Sequence, residues 1–419
     1  MKNVSTHART IGAKIFLTRH HQGISLRGLA EKTGFSYSYL NRIEKGKTMA
    51  KAETLDNVLK VLGSPMKENK TWDTWFIEDY LPKVYNYIYF SQYDKARKMY
   101  HELRPYHDYF ISSFYFIDYY LVMCSMIVMT HIAYDKTDHY LKTCQLLESF
   151  MTDEQKEIFI LNQSHYYMFN KAFTVAQNYL KPKLGSFKNS QIQARAYYLI
   201  AVSLTNNYTQ YNQAMLYYEK AKDIFDAHMN FDRSNRTKTM QLRLFAYLQQ
   251  QDKFNETLAD VSEYAISNQA GNMYSLIQVH LALSHIMHER YQDAIDVLSL
   301  FTMDEGAYYF LKAYAYMRLN QSMEAMDIIQ KVKQSAAIFS FNLEAIGFRI
   351  FEQLLLRKIN KTILNDLKSY CDQAHQEKDL LMVQIATTLY VEQLKAKRAY
   401  KEAYNYTEKY LRVLFAIVH

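Results

Sequence analysis

After residue 90 the chain repeats one small pattern, an aromatic or apolar residue followed three positions later by a small one. The pairs are Tyr93/Ala96, Tyr134/Thr137, Phe169/Ala172, Tyr211/Ala214, Phe254/Thr257, Tyr291/Ala294, Ile359/Thr362 and Tyr400/Ala403, with Ser322/Ala325 a weaker match. Successive small residues lie 41, 35, 42, 43, 37, 31, 37 and 41 apart. Apolar helical stretches fill the intervals, such as Tyr308 to Leu319 before a turn at Asn320–Gln321. A period of this size confines the chain to a stack of hairpins, since two helices alone cannot bury their apolar faces. The small residue lets the second helix of a hairpin, B, approach the first, A, and the aromatic fixes the turn. A non-repetitive helical bundle is the alternative, and it would have no reason to keep the spacing. Six of the ten glycines precede Pro65 and all four prolines precede Lys183, so the later part of the chain favours continuous helix.

The unit resembles the tetratricopeptide repeat, which is about 34 residues long, here with longer turns. Ala313 and Tyr316 stand where that motif places a small residue and an aromatic in helix A. Phe245 and Val391 stand where it wants a small residue, so the pattern is degenerate.

Ahead of the repeats, Gly23 to Gly63 spells two short helices, a tight turn and a further helix. Leu29 and Ala30 mark the inner face of the first short helix, Leu40 and Ile43 that of the second. Gly34 lies between them, where a left-handed residue permits a sharp turn. Ser36 caps the second helix and leaves Tyr37, Ser38, Asn41 and Arg42 outward, side chains suited to base edges and phosphates. This is a helix-turn-helix. Charge placement agrees. Residues 1–65 hold 11 Lys and Arg against 4 Asp and Glu, a net of +7, while the whole chain is +8. A basic head on a neutral body suits a nucleic-acid partner.

Residues 8–63 resemble the Xre and lambda-repressor class of helix-turn-helix domains. In that class an arginine of the first helix pairs with a glutamate ending the recognition helix, so the resemblance makes Arg19 and Glu44 a structural ion pair. It also puts Tyr37, Ser38 and Arg42 on base-reading positions and Lys45, Lys47 and Lys51 near phosphates. Leu26 stands where the class often has glutamine, so that contact is missing or replaced by an apolar touch on a thymine methyl.

An Xre head followed by tetratricopeptide-like repeats resembles the peptide-pheromone sensors of the Rap–Rgg–NprR–PlcR–PrgX group, and its length is closest to NprR-like members. The implied fold is all-α: a lambda-repressor-like head over residues 1–66, then a right-handed superhelix of about nine hairpins over 67–419. Pro65 to Lys70 reads as the linker, with Trp72, Trp75 and Phe76 opening the first packing helix. The implied function is a cytoplasmic transcription regulator. It works as a homodimer on an inverted repeat of double-stranded DNA, and a short linear signalling peptide resets its grip. A repeat scaffold that acts on, or is regulated by, an antirepressor or response regulator is the alternative, and a phospho-aspartate phosphatase a further one.

In a solenoid the A helices line the concave face. Polar residues on otherwise apolar A helices are therefore the candidates for peptide binding: Asn162, Asn206, Gln241, Arg243 and Gln278, with Phe310 and Tyr314 lining a pocket. Each also has an ordinary reading as a cap or surface group, and Asn206 with Asn207 can simply end a helix. The apolar end, Leu411, Val413, Leu414, Phe415, Ile417 and Val418, needs covering, by itself or by a partner.

No catalytic constellation stands out. There is no Gly-rich phosphate loop, zinc-ligand cluster or nucleophile elbow, so neither enzyme activity nor a cofactor is expected. His285 and His288 are three apart without a third ligand, and His165 and His280 read as packing or surface residues. Cys124, Cys144 and Cys371 form an odd set without metal spacing, which suits a reducing compartment. No charged n-region followed by a short apolar core and cleavage site opens the sequence, so secretion is not expected. Ile111 to Thr130 is membrane-like in length, but Asp118, tyrosines and serines interrupt it, so a buried helix is expected.

Overall fold

The structure is a computed structural model that describes residues 6–48, 50–303, 306–334, 342–356 and 361–418. Among these residues the chain is helical throughout and no strand forms. It divides into two compact units, Met1–Leu199 and Ile200–His419.

The first unit begins with the head, α1 (Thr6–His21), α2 (Leu26–Thr33), α3 (Tyr37–Glu44) and α4 (Ala52–Val61). Ile11, Ile15, Leu29, Leu40, Ile43, Val58 and Leu62 form its core. Next come α5 (Lys70–Thr74), a π-helical turn at Trp75–Tyr80, and the first hairpin, α6 (Leu81–Tyr89) with α7 (Tyr93–Leu103). Phe76 is fully buried there, 4.3 Å from Phe110. The short α8 (His107–Phe110) leads to the hairpins α9 (Phe116–Thr130) with α10 (Thr137–Leu147), and α11 (Asp153–Phe169) with α12 (Phe173–Leu180). Of the membrane-like stretch Ile111 to Thr130, Phe116–Thr130 is α9, buried at every residue except Asp118, which accepts a 2.7 Å hydrogen bond from Gln155. No helix among the described residues is long and apolar enough to cross a membrane.

The unit boundary falls inside α13 (Ser190–Leu204), which pairs in sequence with α14 (Tyr211–Ala227). Five further hairpins complete the second unit: α15 (Phe231–Tyr247) with α16 (Gln251–Ser267), α17 (Gly271–Met287) with α18 (Tyr291–Ser299), α19 (Gly306–Arg318) with α20 (Ser322–Gln334), α21 (Asn342–Leu355) with α22 (Lys361–Glu377), and α23 (Leu380–Ala396) with α24 (Tyr400–Val418).

The aromatic–small pairs mark the starts of the B helices. Ala96, Thr137, Ala214, Ala294, Ala325 and Ala403 are each buried at or near the start of their helix. Three pairs depart from the expected register. In α12 the pair is Phe173/Ala176, four residues later than Phe169/Ala172, with Ala176 buried and Phe173 partly so, because Phe169 ends the preceding helix and stays half-exposed. In α16 the large Phe254 itself takes the small-residue position and Thr257 does not. In α22 Thr362 is exposed and Ile363 is buried, while Ile359 lies outside the described residues.

Glycine is scarce because these turns do without it. Ser91, Lys171, Gln249, Glu289, Asn320 and Arg398, each between an A helix and its B helix, all take left-handed φ. That conformation closes the first helix and re-aims the chain within a few residues.

Candidate functional site

The head holds its recognition helix by capping and by close backbone contact. Ser25 Oγ accepts from the Gly28 amide at 3.0 Å to start α2, and Gly34 ends it at φ 74°. Ser36 Oγ accepts from the Tyr39 amide at 3.3 Å to start α3. With Leu40 and Ile43 turned inward, Tyr37, Ser38 and Arg42 are exposed and Asn41 is partly exposed. Lys45, Lys47 and Lys51 are exposed beyond them. Behind this surface Arg19 grips Glu44 through two hydrogen bonds of 2.9 Å, and a third reaches the Ile24 carbonyl at 2.8 Å. Gly12 lets α1 lie against the end of α3, since a Cβ there would stand 2.5 Å from the Glu44 carbonyl oxygen. Leu26 packs against the head core, which accounts for an apolar residue at that position.

The head is also docked on the first repeats. The Lys14 amine is buried, donates to the Ile111 carbonyl and stands 5.5 Å from the Phe116 ring centre. Phe16 meets Phe150 at 5.4 Å, the Lys67 amide donates to the Ser112 carbonyl at 2.7 Å, and Phe114 packs on the head core. Burial, with Lys67 nearby, lowers the Lys14 amine to about 8. Two of the head's basic residues, Lys14 and Arg19, therefore serve the fold.

The ligand candidates are placed unevenly. Asn162 is buried in the first unit, where its amide donates to Ser125 Oγ at 2.8 Å. The other six lie in the second unit. Asn206 follows the end of α13, and its amide donates back to the Val202 carbonyl at 3.2 Å. Gln241 is buried and donates to Glu219 Oε1 at 2.5 Å. Gln278 is buried on α17. Phe310 and Tyr314 are buried. Phe310 packs on Phe348 and Phe351, Tyr314 on Tyr291 and Phe351, and neither ring keeps a free face.

Arg243 stands apart in chemistry. It is partly accessible and donates from Nε to Tyr247 OH at 3.2 Å, and Tyr247 stacks on Tyr211 with ring centres 5.2 Å apart. Burial opposes its charge, but Tyr247, Asp379 and Tyr211 outweigh burial and hold the guanidinium firmly protonated. His280, on α17, is driven down to about 3 by burial and by Arg243, so it is a neutral imidazole. Its Nε2 has no hydrogen-bond partner among the described residues. The result is a fixed cation walled by aromatic rings, an arrangement that suits a carboxylate.

Residues 18–69 match the helix-turn-helix family model HTH_3. The head is a helix-turn-helix domain. The body is similar to solved structures of two proteins. One is a Rap protein complexed with Competence and Sporulation Factor, at 15% identity and TM-score 0.64 over 81% of this chain and 97% of that one. The other is the apo form of the quorum sensor NprR from B. thuringiensis, at 13% identity and TM-score 0.54 over 82% of this chain and 99% of that one. No curated protein matches the sequence. The chain thus joins a helix-turn-helix head to a helical repeat body with the Rap–NprR fold.

Around Arg243 the sequence reading missed Tyr211, Tyr247, His280 and Asp379. Tyr247 lies one turn along α15 from Arg243, but Tyr211, His280 and Asp379 belong to α14, α17 and the cap of α23, so no local signal marks the group. Among the described residues no cluster of His, Cys, Asp and Glu could hold a metal ion. His288 is engaged with the Ser284 carbonyl at 2.8 Å, and His285 Nδ1 lies 4.0 Å from Asp293.

Proposed function

We propose that this chain is a cytoplasmic transcription regulator that binds specific double-stranded DNA through α3 and answers to a short linear peptide bound by its repeats. The observation that carries the reading is the outward set Tyr37, Ser38, Asn41 and Arg42 on a capped, core-anchored α3, joined to a repeat body of the Rap–NprR fold. Arg42 serves as the base reader, and Lys45, Lys47 and Lys51 neutralise phosphates. Residues 1–66 act as the DNA-binding part and 67–419 as the sensing and dimerising part.

In this reading the peptide lies along A helices of the second unit. Arg243 takes its carboxylate, and Gln278 and Asn206 offer amides to its backbone. The protein works as a homodimer on an inverted repeat, because one head of this kind reads too few bases to specify a site. The outer stripe of α24, Tyr400, Tyr404, Leu411 and Phe415, is exposed and supplies the pairing surface. Of the other apolar residues near the end, Ile417 is buried within the chain and the Val418 side chain lies outside the described residues.

The test is an operator titration on DNA selected from a random pool. Arg42→Ala is expected to lose about 1–3 kcal/mol and to relax selectivity at one base pair. Lys47→Ala is expected to weaken all sequences alike and to reduce the logarithmic salt slope by about 0.9. Unchanged affinity and selectivity in Arg42→Ala would remove α3 as the reading helix.

A further inference from the structure

Helix α1 is buried on two opposite sides. Ile11 and Ile15 belong to the head's own core. Ala13, Lys14 and Leu17 lie on the other side of the helix by its 3.6-residue period, and all three are more than nine-tenths buried. A head standing free would leave that side in water. Beyond the head, α1 packs on α10 and on the turn Glu148–Phe150, with the Phe16 ring centre 5.4 Å from that of Phe150. The Lys14 amine reaches the Ile111 carbonyl, just after α8, and the ring of Phe116, which opens α9.

The chain leaving the head is pinned as well. The Lys67 amide donates to the Ser112 carbonyl at 2.7 Å, and its amine donates to the Asp108 carbonyl at 3.4 Å. Asn69 caps α5 by accepting from the Trp72 amide at 3.2 Å, and Asp73 of α5 accepts from Tyr109 OH of α8 at 2.7 Å. Pro65 to Lys70, a linker by composition, is therefore tied down along its length. Tyr37, Ser38 and Arg42 stay exposed on α3, so docking leaves the reading surface open. The same α1 that meets the repeats also holds the end of α3, through the Arg19–Glu44 pair and the close approach at Gly12. One helix, gripped on both sides, thus joins the recognition helix to the first repeats.

We propose that this mount makes the first repeats part of the DNA-reading apparatus. Lys14, Phe16, Leu17 and Phe150 are positioning residues that set which separation of operator half-sites the protein accepts. This rests on the reading of a homodimer on an inverted repeat. A head on a flexible tether would reach a displaced half-site at modest cost, whereas a mounted head cannot follow it. Operator specificity then has two sources. Helix α3 reads bases, and the dock reads the distance and helical phase between the half-sites.

The test is made on the full chain without peptide, using one half-site alone, the inverted repeat selected from a random pool, and two lengthened versions of that repeat. About five or about ten base pairs are added between the half-sites, roughly half a turn and a whole turn of DNA. The unaltered chain is expected to bind both lengthened repeats roughly 10- to 100-fold more weakly than the selected one. Leu17→Gln, on the head, and Phe150→Ala, on the repeats, are expected to cut that difference to about threefold or less, with single half-site affinity held within about twofold. Lys14→Met, whose apolar chain still fills the dock, is expected to keep the full spacing penalty. Hydrogen exchange at the Lys67 amide is followed alongside, and is expected to be fast in Leu17→Gln and Phe150→Ala and slow in Lys14→Met. Fast Lys67 exchange with an undiminished spacing penalty overturns the proposal, and so does a Lys67 amide equally slow in every variant. An unaltered chain that prefers the inverted repeat but is indifferent to its spacing overturns it too, and leaves the homodimer reading standing. A chain that binds the inverted repeat no tighter than one half-site removes the homodimer reading and the spacing role together, while Lys67 exchange still decides whether the head is mounted.

Discussion

Arg19 and Glu44 show how one side-chain pair fixes a functional surface without touching a ligand. The planar guanidinium meets the carboxylate at two points, both side chains are mostly buried, and the pair ties α1 to the last residue of the recognition helix. Removing one partner leaves the other charge buried alone. Glu44→Ala is therefore expected to cost the head about 3 kcal/mol. Faster exchange of α1 and α3 amides, with the α15 amides unchanged, is the sign to look for, and an unaltered head would contradict it. This pair was legible in the sequence through its resemblance to known helix-turn-helix domains. Gly12 was not, because nothing nearby in sequence shows that the end of α3 will press against it. The burial of Phe310 and Tyr314 was not legible for a related reason. Position within a repeat gives the helix face roughly, but only the neighbouring helices decide whether a ring there is covered.

At the scale of elements, the docking of α1 on the first repeats was not legible. The charge count treated the head's lysines alike, yet Lys14 is buried against Ile111 and Phe116. Its consequence has a definite sign. A lysine whose amine is lowered from 10.5 to about 8 on docking is penalised while charged, so docking weakens at low pH and strengthens as pH rises from about 8 to 10.5. Across that window the gain is about 3 kcal/mol, since each tenfold change in proton affinity corresponds to about 1.36 kcal/mol. Lys14→Met is expected to dock equally well at pH 7 and pH 10, as read by exchange of the α1 amides, since an apolar chain of similar length carries no such penalty. A Lys14→Met head with the same pH response as the unaltered head would show that other groups set it. The hairpins themselves were readable because their period survives degenerate sequence. Their register failed where a phenylalanine, as in α16, took the place of the small residue, since volume is judged against a neighbour the sequence does not display.

At the scale of the whole molecule, a helix-turn-helix head and a repeat body were both legible, the first from local spacing and the second from periodicity. The surroundings of Arg243 were not, because, Tyr247 aside, residues far apart in sequence assemble them. The proposed dimer belongs to this scale. With Tyr400, Tyr404, Leu411 and Phe415 largely exposed on α24, sedimentation at micromolar concentration is expected to show a dimer that Leu411→Glu with Phe415→Glu reduces to monomer. A monomer at all concentrations, with and without operator, would contradict it. The central claim is that a peptide on the repeats changes the hold of the heads on DNA. The most direct measurement is operator affinity by fluorescence anisotropy, at fixed salt, with and without a saturating peptide selected on the full chain from a random heptapeptide library. A shift in operator Kd of roughly 5- to 150-fold, in either direction, is the predicted result. An operator Kd that stays the same at saturating peptide would contradict the account.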